Sequence, residues 1–128
     1  MKILGIGVDI VENSRITKSL RNRLFIERIF SNSEILIAKK TKDKKSYYAK
    51  RFAAKEAFAK SIGTGFRDNF NFKDVSIVND KLGKPSFLIN KIIKKIVKKQ
   101  FKTTSFNFFL SISDEKKYSI AYVILQKN

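Results

Sequence analysis

In the stretch SYYAKRFAAKEAFAKSI, residues 46–62, apolar side chains recur at the spacing of an α-helix, and this pattern is the main evidence for the fold. Ala54, Phe58 and Ile62 follow one another at intervals of four residues, which places them on one face of an α-helix. The sequence GTG at 63–65 comes directly afterwards, and glycine is typical of the residue that ends a helix. We therefore predict a long central helix over 46–62.

The N-terminal stretch ILGIGVDIV, residues 3–11, has the two-residue alternation of a β-strand. One face is apolar and consists of Leu4, Ile6, Val8 and Ile10. The other face contains Gly5 and Gly7, which have no side chains, and also carries the carboxylate of Asp9. The pattern predicts a strand with one apolar face and one face on which a carboxylate stands beside open space.

Helical and strand patterns alternate along the rest of the chain, and no internal repeat or low-complexity linker separates them. Short helices are predicted over 14–20 and 24–30, and two further helices are predicted to follow caps at Ser31 or Ser33 and at Asn90. Strands are predicted over 74–80, 85–90, 106–113 and 118–126. The basic run 39–45 is predicted to be a loop. We therefore predict a single α+β domain spanning residues 1–128, with an antiparallel sheet packed on the long central helix.

The composition excludes several kinds of chemistry. The chain has no cysteine and no histidine, so disulfides, thiolate nucleophiles, zinc-thiolate sites and histidine bases are all absent. Any metal is expected to be an oxygen-preferring ion such as Mg²⁺. The N-terminus is a poor signal peptide and no stretch approaches the roughly 20 apolar residues of a membrane span, so a cytoplasmic protein without a membrane partner is predicted.

A net charge of +17 indicates an acidic partner without identifying it. A basic nucleic-acid-binding protein is one interpretation. However, 22 of the 28 basic residues are lysines, which A/T-rich coding also produces, and most phenylalanines fall in core-facing patterns instead of alternating with arginine. The lysine-rich helix after Asn90 is either a membrane- or RNA-facing surface or a core-packed helix with solvated lysines, and only the second needs no partner.

Two acids stand where packing alone would not place them. Glu56 is flanked by Arg51, Lys55 and Lys60 and is followed by the GTG turn; a carboxylate, cations and unhindered backbone amides are the components of a magnesium-phosphate site. On spacing alone, a surface pair of Glu56 with Lys60 is the simpler interpretation. Asp9 is the second candidate, although a lone aspartate at a strand end is more often a helix cap or turn former.

Five blocks of the sequence, in their order and spacing, resemble the bacterial holo-[acyl-carrier-protein] synthases, the small type of 4′-phosphopantetheinyl transferase. The blocks are GIGVDIVE at 5–12, FIERIF at 25–30, RFAAKEAFAKSIGTG at 51–65, GKP at 83–85, and SIS at 111–113 followed by YSIAYVIL at 118–125. The resemblance implies an enzyme that moves phosphopantetheine from coenzyme A to a serine of apo-acyl carrier protein and releases adenosine 3′,5′-bisphosphate.

The resemblance also implies roles for individual residues. Asp9 and Glu56 would be the ligands of Mg²⁺ and, with Lys60, the catalytic residues. The contacts to coenzyme A would be Arg51, Gly63, Thr64, Gly65, Lys84 and Pro85, and the surface for the acidic carrier protein would be Arg15, Arg21, Arg23 and Arg28.

The chain departs from the family pattern at two positions. Leu24 stands where relatives often carry an arginine, and Asp114 stands where they commonly carry a histidine near the coenzyme. A carboxylate there would weaken phosphate binding unless Lys116 or Lys117 compensates or the side chain turns away. A relative that binds coenzyme A without transfer is therefore an alternative.

The family is trimeric, with active sites between subunits. The resemblance therefore implies a homotrimer, and it leaves open that Asp9 and Glu56 come from different copies of the chain.

Overall fold

The computed structural model describes residues 1–67 and 69–128 and confirms the α+β class. The helices are α1 (Asn13–Ser19), α2 (Arg23–Ile29), α3 (Asn32–Lys40), α4 (Lys44–Ile62) and α5 (Lys91–Phe101), with a short 3₁₀ turn at Phe72–Asp74. The strands are β1 (Lys2–Glu12), β2 (Ser76–Asn79), β3 (Pro85–Leu88), β4 (Phe106–Asp114) and β5 (Tyr118–Lys127). Within the described ranges, no helix combines the length and the apolar character needed to cross a membrane.

The strands form two separate antiparallel sheets around α4. One has the order β1-β5-β4, and the other is the hairpin β2–β3. The buried face of the larger sheet includes Ala121, Val123 and Leu125 of β5, all fully buried. In β1 the inward face is the one with the glycines, whereas Ile6, Val8 and Ile10 are exposed. The sheet therefore presents an apolar outer face to solvent.

Close contact between β1 and α4 depends on the two glycines of the strand. A Cβ at Gly5 would lie 1.9 Å from the carbonyl oxygen of Ser61, and a Cβ at Gly7 would lie 1.9 Å from that of Ala57. Real Cβ atoms do not approach backbone so closely, so only glycine permits this spacing. The strand therefore lies directly on the helix, and Asp9 stands beside the next turn of α4.

Small and aromatic residues alternate on the buried faces of α4. Ala53, Ala54, Ala57 and Phe58 have no exposed surface. The ring of Phe58 stacks on that of Phe108, with their centroids 4.5 Å apart. The helix is therefore the centre of the core, as its sequence predicts.

The prediction of a loop over 39–45 is wrong at both ends. Helix α3 continues to Lys40 and α4 begins at Lys44, so three residues connect them. The side chain of Asp43 accepts a hydrogen bond from the Ser46 amide at 3.1 Å and thereby caps α4. For α3, Ser31 is the cap, and it forms a capping box with Glu34.

Helix α5 packs on the core through one apolar stripe. Asn90 caps it by accepting a hydrogen bond from the Ile93 amide at 2.9 Å. Ile93 and Val97 are fully buried, while the lysines of the helix are exposed. The structure therefore favours the interpretation of α5 as a core-packed helix with solvated lysines.

Candidate active site

Asp9 and Lys60 form an ion pair where β1 crosses α4. The Lys60 ammonium lies 3.1 Å from Asp9 Oδ1 and donates a second hydrogen bond to the Val8 carbonyl at 2.9 Å. The Asp9 side chain is largely buried, whereas that of Lys60 is more than half exposed. The lysine therefore pairs with the strand aspartate, and the surface pair of Glu56 with Lys60 suggested by their spacing is not what the structure contains.

Of the two candidate metal ligands, Glu56 lies within electrostatic range of Asp9. Burial raises the pKa of Asp9, and Lys60 opposes the rise. Burial also raises the pKa of Glu56; the negative charge of Asp9 raises it further, and Lys60 opposes both. The interaction occurs within one chain, which favours a site whose two carboxylates come from the same copy.

This pair of carboxylates fits a hard divalent cation. When burial disfavours the charged forms of two neighbouring acids, a positive ion between them stabilises both. Among the residues that the structure describes, no group of three or more acidic side chains could hold a metal ion. Mg²⁺ commonly binds through one or two carboxylates, with water and substrate phosphates completing its shell. The site therefore suits Mg²⁺ together with a phosphorylated substrate.

Lys55, which the sequence places among the phosphate-binding cations, is instead fully buried on another side of α4. Its ammonium lies 2.7 Å from the Glu34 carboxylate and donates to the carbonyls of Phe72 at 3.0 Å and Val75 at 2.6 Å. Glu34 also accepts from the Ile77 amide at 3.0 Å. Lys55 is therefore unavailable to a substrate. The sequence does not reveal its partner, because the only local signal at Glu34 is that of a capping box.

Arg51 is buried between α4 and the hairpin, with 5% of its surface exposed. Its guanidinium carbon stacks 4.5 Å from the centre of the Tyr47 ring, and Nη2 donates to Asn79 Oδ1 at 2.6 Å. Within residues 1–67 and 69–128, its Nε and the Tyr47 hydroxyl are the buried side-chain polar atoms without a hydrogen-bond partner. Arg51 is thus fixed in place while retaining an unused donor.

The other predicted coenzyme contacts lie in two turns. Gly63 ends α4 with a φ of 90°, and Gly65 has a φ of 68°; a Cβ added at either position would have no other atom within 4 Å. The Gly63 amide donates to the Ala59 carbonyl at 3.1 Å, so the open space around the turn lies on the side where the two glycines lack a side chain. Lys84 is exposed at the end of the hairpin turn, and Pro85 begins β3 opposite Asn79.

The four arginines of the predicted carrier surface are all exposed, and they line three different depressions. Arg15 and Arg21 line a common open cleft of about 820 Å³. Arg23 lines a different depression and pairs with Glu27 at 3.2 Å, and Arg28 lines a third. The structure therefore brings together Arg15 and Arg21 only.

Asp114 lies at the end of β4, in the cleft of Arg15 and Arg21. Its Oδ2 accepts a hydrogen bond from the Ser46 hydroxyl at 3.1 Å. In the described part of the chain, neither Lys116 nor Lys117 forms an ion pair with it. Asp114 is therefore held at the N-terminal end of α4, and lysine compensation is not seen.

Comparison with known proteins shows which family the chain resembles over nearly its whole length. The family model described as the 4′-phosphopantetheinyl transferase superfamily matches residues 5–123. A holo-[acyl-carrier-protein] synthase of Pelagibacter ubique is 76% identical over 127 residues, covering 99% of each protein.

Two solved structures extend the comparison to three dimensions. The holo-[acyl-carrier-protein] synthase of Neisseria meningitidis has 38% identity and a TM-score of 0.88, with 98% of this chain and 99% of that chain covered. The synthase of Bacillus anthracis, solved in complex with CoA (3′,5′-ADP), has 36% identity and a TM-score of 0.82, with both chains fully covered. The chain belongs to the 4′-phosphopantetheinyl transferase superfamily and, within it, to the holo-[acyl-carrier-protein] synthases.

Proposed function

We propose that the chain transfers 4′-phosphopantetheine from coenzyme A to a serine of apo-acyl carrier protein. The serine oxygen forms a bond to the β-phosphorus, the pyrophosphate bond breaks, and adenosine 3′,5′-bisphosphate leaves. The observation that carries the proposal is the Asp9–Lys60 ion pair where β1 crosses α4, one helical turn from Glu56, in a chain whose relatives are holo-[acyl-carrier-protein] synthases.

Asp9 and Glu56 would hold Mg²⁺, which when bound supplies positive charge against the pyrophosphate of coenzyme A. Lys60 adds a second positive charge at the same crossing of strand and helix, where charge accumulates on the phosphate oxygens. The serine proton passes to an oxygen group, either a carboxylate of the pair or a water, because the chain contains no histidine.

Coenzyme A would lie between the GTG turn and the hairpin. The GTG turn would let the coenzyme approach the backbone closely, because Gly63 and Gly65 have no side chains, and Arg51 and Lys84 would supply cations on the hairpin side. The acidic carrier protein would meet the arginine surface, with Arg15 and Arg21 at its centre because they share a cleft. The cytoplasm is the compartment that the sequence predicts.

A homotrimer is part of this proposal, and the outer face of the larger sheet supports it. This face exposes the apolar side chains Ile6, Val8, Ile10, Phe109, Ile120 and Tyr122. A contiguous apolar face of this kind is typical of an interface. Light scattering should give the trimer mass for the wild type and a smaller mass for Ile120→Lys. Ile92→Lys, at an equally exposed isoleucine on α5, is the control; a wild-type monomer would contradict the assembly.

Mass spectrometry tests the activity directly. The protein is incubated with apo-acyl carrier protein, coenzyme A and millimolar Mg²⁺, and the phosphopantetheine adduct on the carrier is measured. We expect an adduct with the wild type and a loss of at least about 100-fold in rate with Asp9→Asn and with Glu56→Gln. Near-normal rates in both variants would contradict the metal site, and no adduct from the folded wild type would favour coenzyme A binding without transfer.

A further inference from the structure

The side chain of Asn79 connects the two cations assigned to coenzyme A. Asn79 is the last residue of β2, and its Oδ1 accepts from Arg51 Nη2 at 2.6 Å. Its Nδ2 donates to the Gly83 carbonyl at 3.1 Å, directly before Lys84. One amide group therefore joins a buried helix cation to the turn that carries an exposed one.

The turn that receives this hydrogen bond is internally rigid. Asp80 Oδ1 accepts from the amides of Leu82 and Lys84, both at 2.9 Å. The backbone of Asp80 also donates to the Lys84 carbonyl and accepts from the Gly83 amide, both at 3.0 Å. A turn bonded in this way moves as a unit, so a contact at Gly83 also sets the position of Lys84.

Arg51 is restrained from two directions. The Tyr47 ring supports one face of the guanidinium, and Asn79 holds Nη2 from the side. Because a carboxamide is neutral, it orients the guanidinium without cancelling its charge. A carboxylate at the same place would form an ion pair with Arg51 and reduce the attraction of the site for phosphate.

We propose that Asn79 is a positioning residue for coenzyme A binding: it sets the distance between the Arg51 guanidinium and the Lys84 turn while leaving both cations charged. The proposal rests on the assignment of Arg51 and Lys84 to coenzyme A. Asn79 lies outside the Asp9–Glu56–Lys60 group, so its loss affects coenzyme affinity and leaves the chemical step unchanged.

Isothermal titration of coenzyme A in the presence of Mg²⁺ tests the proposal, together with steady-state kinetics. We expect Asn79→Ala to weaken binding and raise KM for coenzyme A about tenfold, with kcat at saturation within about twofold of wild type. Asn79→Asp should weaken binding more than Asn79→Ala. Asn32→Ala, at an exposed asparagine of α3, is the matched control and should bind like the wild type.

Arg51→Ala and Lys84→Ala distinguish an error in the role of Asn79 from an error in the assignment of the coenzyme contacts. If both weaken coenzyme binding while Asn79→Ala and Asn79→Asp do not, the role of Asn79 is refuted and the coenzyme contacts stand. If neither weakens binding, the coenzyme contacts themselves are wrong and the inference falls with them. A tenfold loss of kcat in Asn79→Ala with unchanged affinity would also refute a positioning role in binding.

Discussion

Helix α4 holds charged groups in place by two different physical means on its two sides. On the sheet side, β1 lies against the helix backbone because Gly5 and Gly7 have no side chains, and this contact brings Asp9 beside the helix. On the hairpin side, the buried ion pair of Lys55 with Glu34 ties α4 to β2 through hydrogen bonds. Close packing thus creates the candidate reactive site, whereas buried polar contacts position the hairpin that is proposed to bind the coenzyme.

The largest loss of stability is expected from a substitution that disrupts the contact between β1 and α4. Gly7→Ala would put a Cβ within 1.9 Å of the Ala57 carbonyl oxygen, and neither backbone can move without separating the strand from the helix. We expect a loss of more than about 4 kcal/mol in the free energy of unfolding, measured by urea denaturation. Gly83→Ala, strained by its φ of 88° but with open space around it, should cost only about 1 kcal/mol. Equal losses would contradict the steric explanation.

Removing the buried ion pair on the hairpin side of α4 should cause the next largest loss of stability. Lys55→Met leaves the Glu34 carboxylate buried without its cation and should cost about 3–5 kcal/mol. The control Lys45→Met replaces an exposed lysine at the start of the same helix and should be nearly neutral.

The double variant Glu34→Leu with Lys55→Met tests whether the hydrogen bonds between this ion pair and the backbone contribute to stability. Replacing both members of a buried ion pair is often harmless, but here the pair also satisfies backbone groups of Phe72, Val75 and Ile77. We therefore expect the double variant to remain well below wild-type stability in urea denaturation. Full recovery would show that the hairpin does not depend on these hydrogen bonds.

The smallest effect is expected in the dependence of the protein's stability on pH. Because the native pKa values of Asp9 and Glu56 are raised, the native protein holds more protons than the unfolded chain as pH rises above about 4. The stability of the metal-free protein should therefore fall across that window, which a decline in Tm would show. Calorimetry should show a smaller decline in Glu56→Gln. An identical decline in this variant would contradict the raised pKa of Glu56.

The two sides of α4 also differ in how far the sequence predicts them. The glycine-cleared strand, the helix and the candidate pair Asp9 and Glu56 follow from local spacing together with the family resemblance. The burial of Lys55 does not, because its partner Glu34 lies 21 positions away and carries only a local capping signal. Asn79 likewise has no sequence signal, since its role depends on hairpin register and on the distant Arg51. Long-range polar contacts thus mark the limit of sequence reasoning here.

We propose that one chain supplies both carboxylates of the reactive site. Asp9→Asn and Glu56→Gln chains are mixed, unfolded and refolded together, and hybrid assemblies are identified by native mass spectrometry. Hybrids of wild type with Asp9→Asn serve as the positive control and should transfer phosphopantetheine in proportion to their wild-type chains. We predict that hybrids of the two variants have no more activity than either variant alone, because every chain lacks one of its own carboxylates. Substantial activity in those hybrids would contradict the claim.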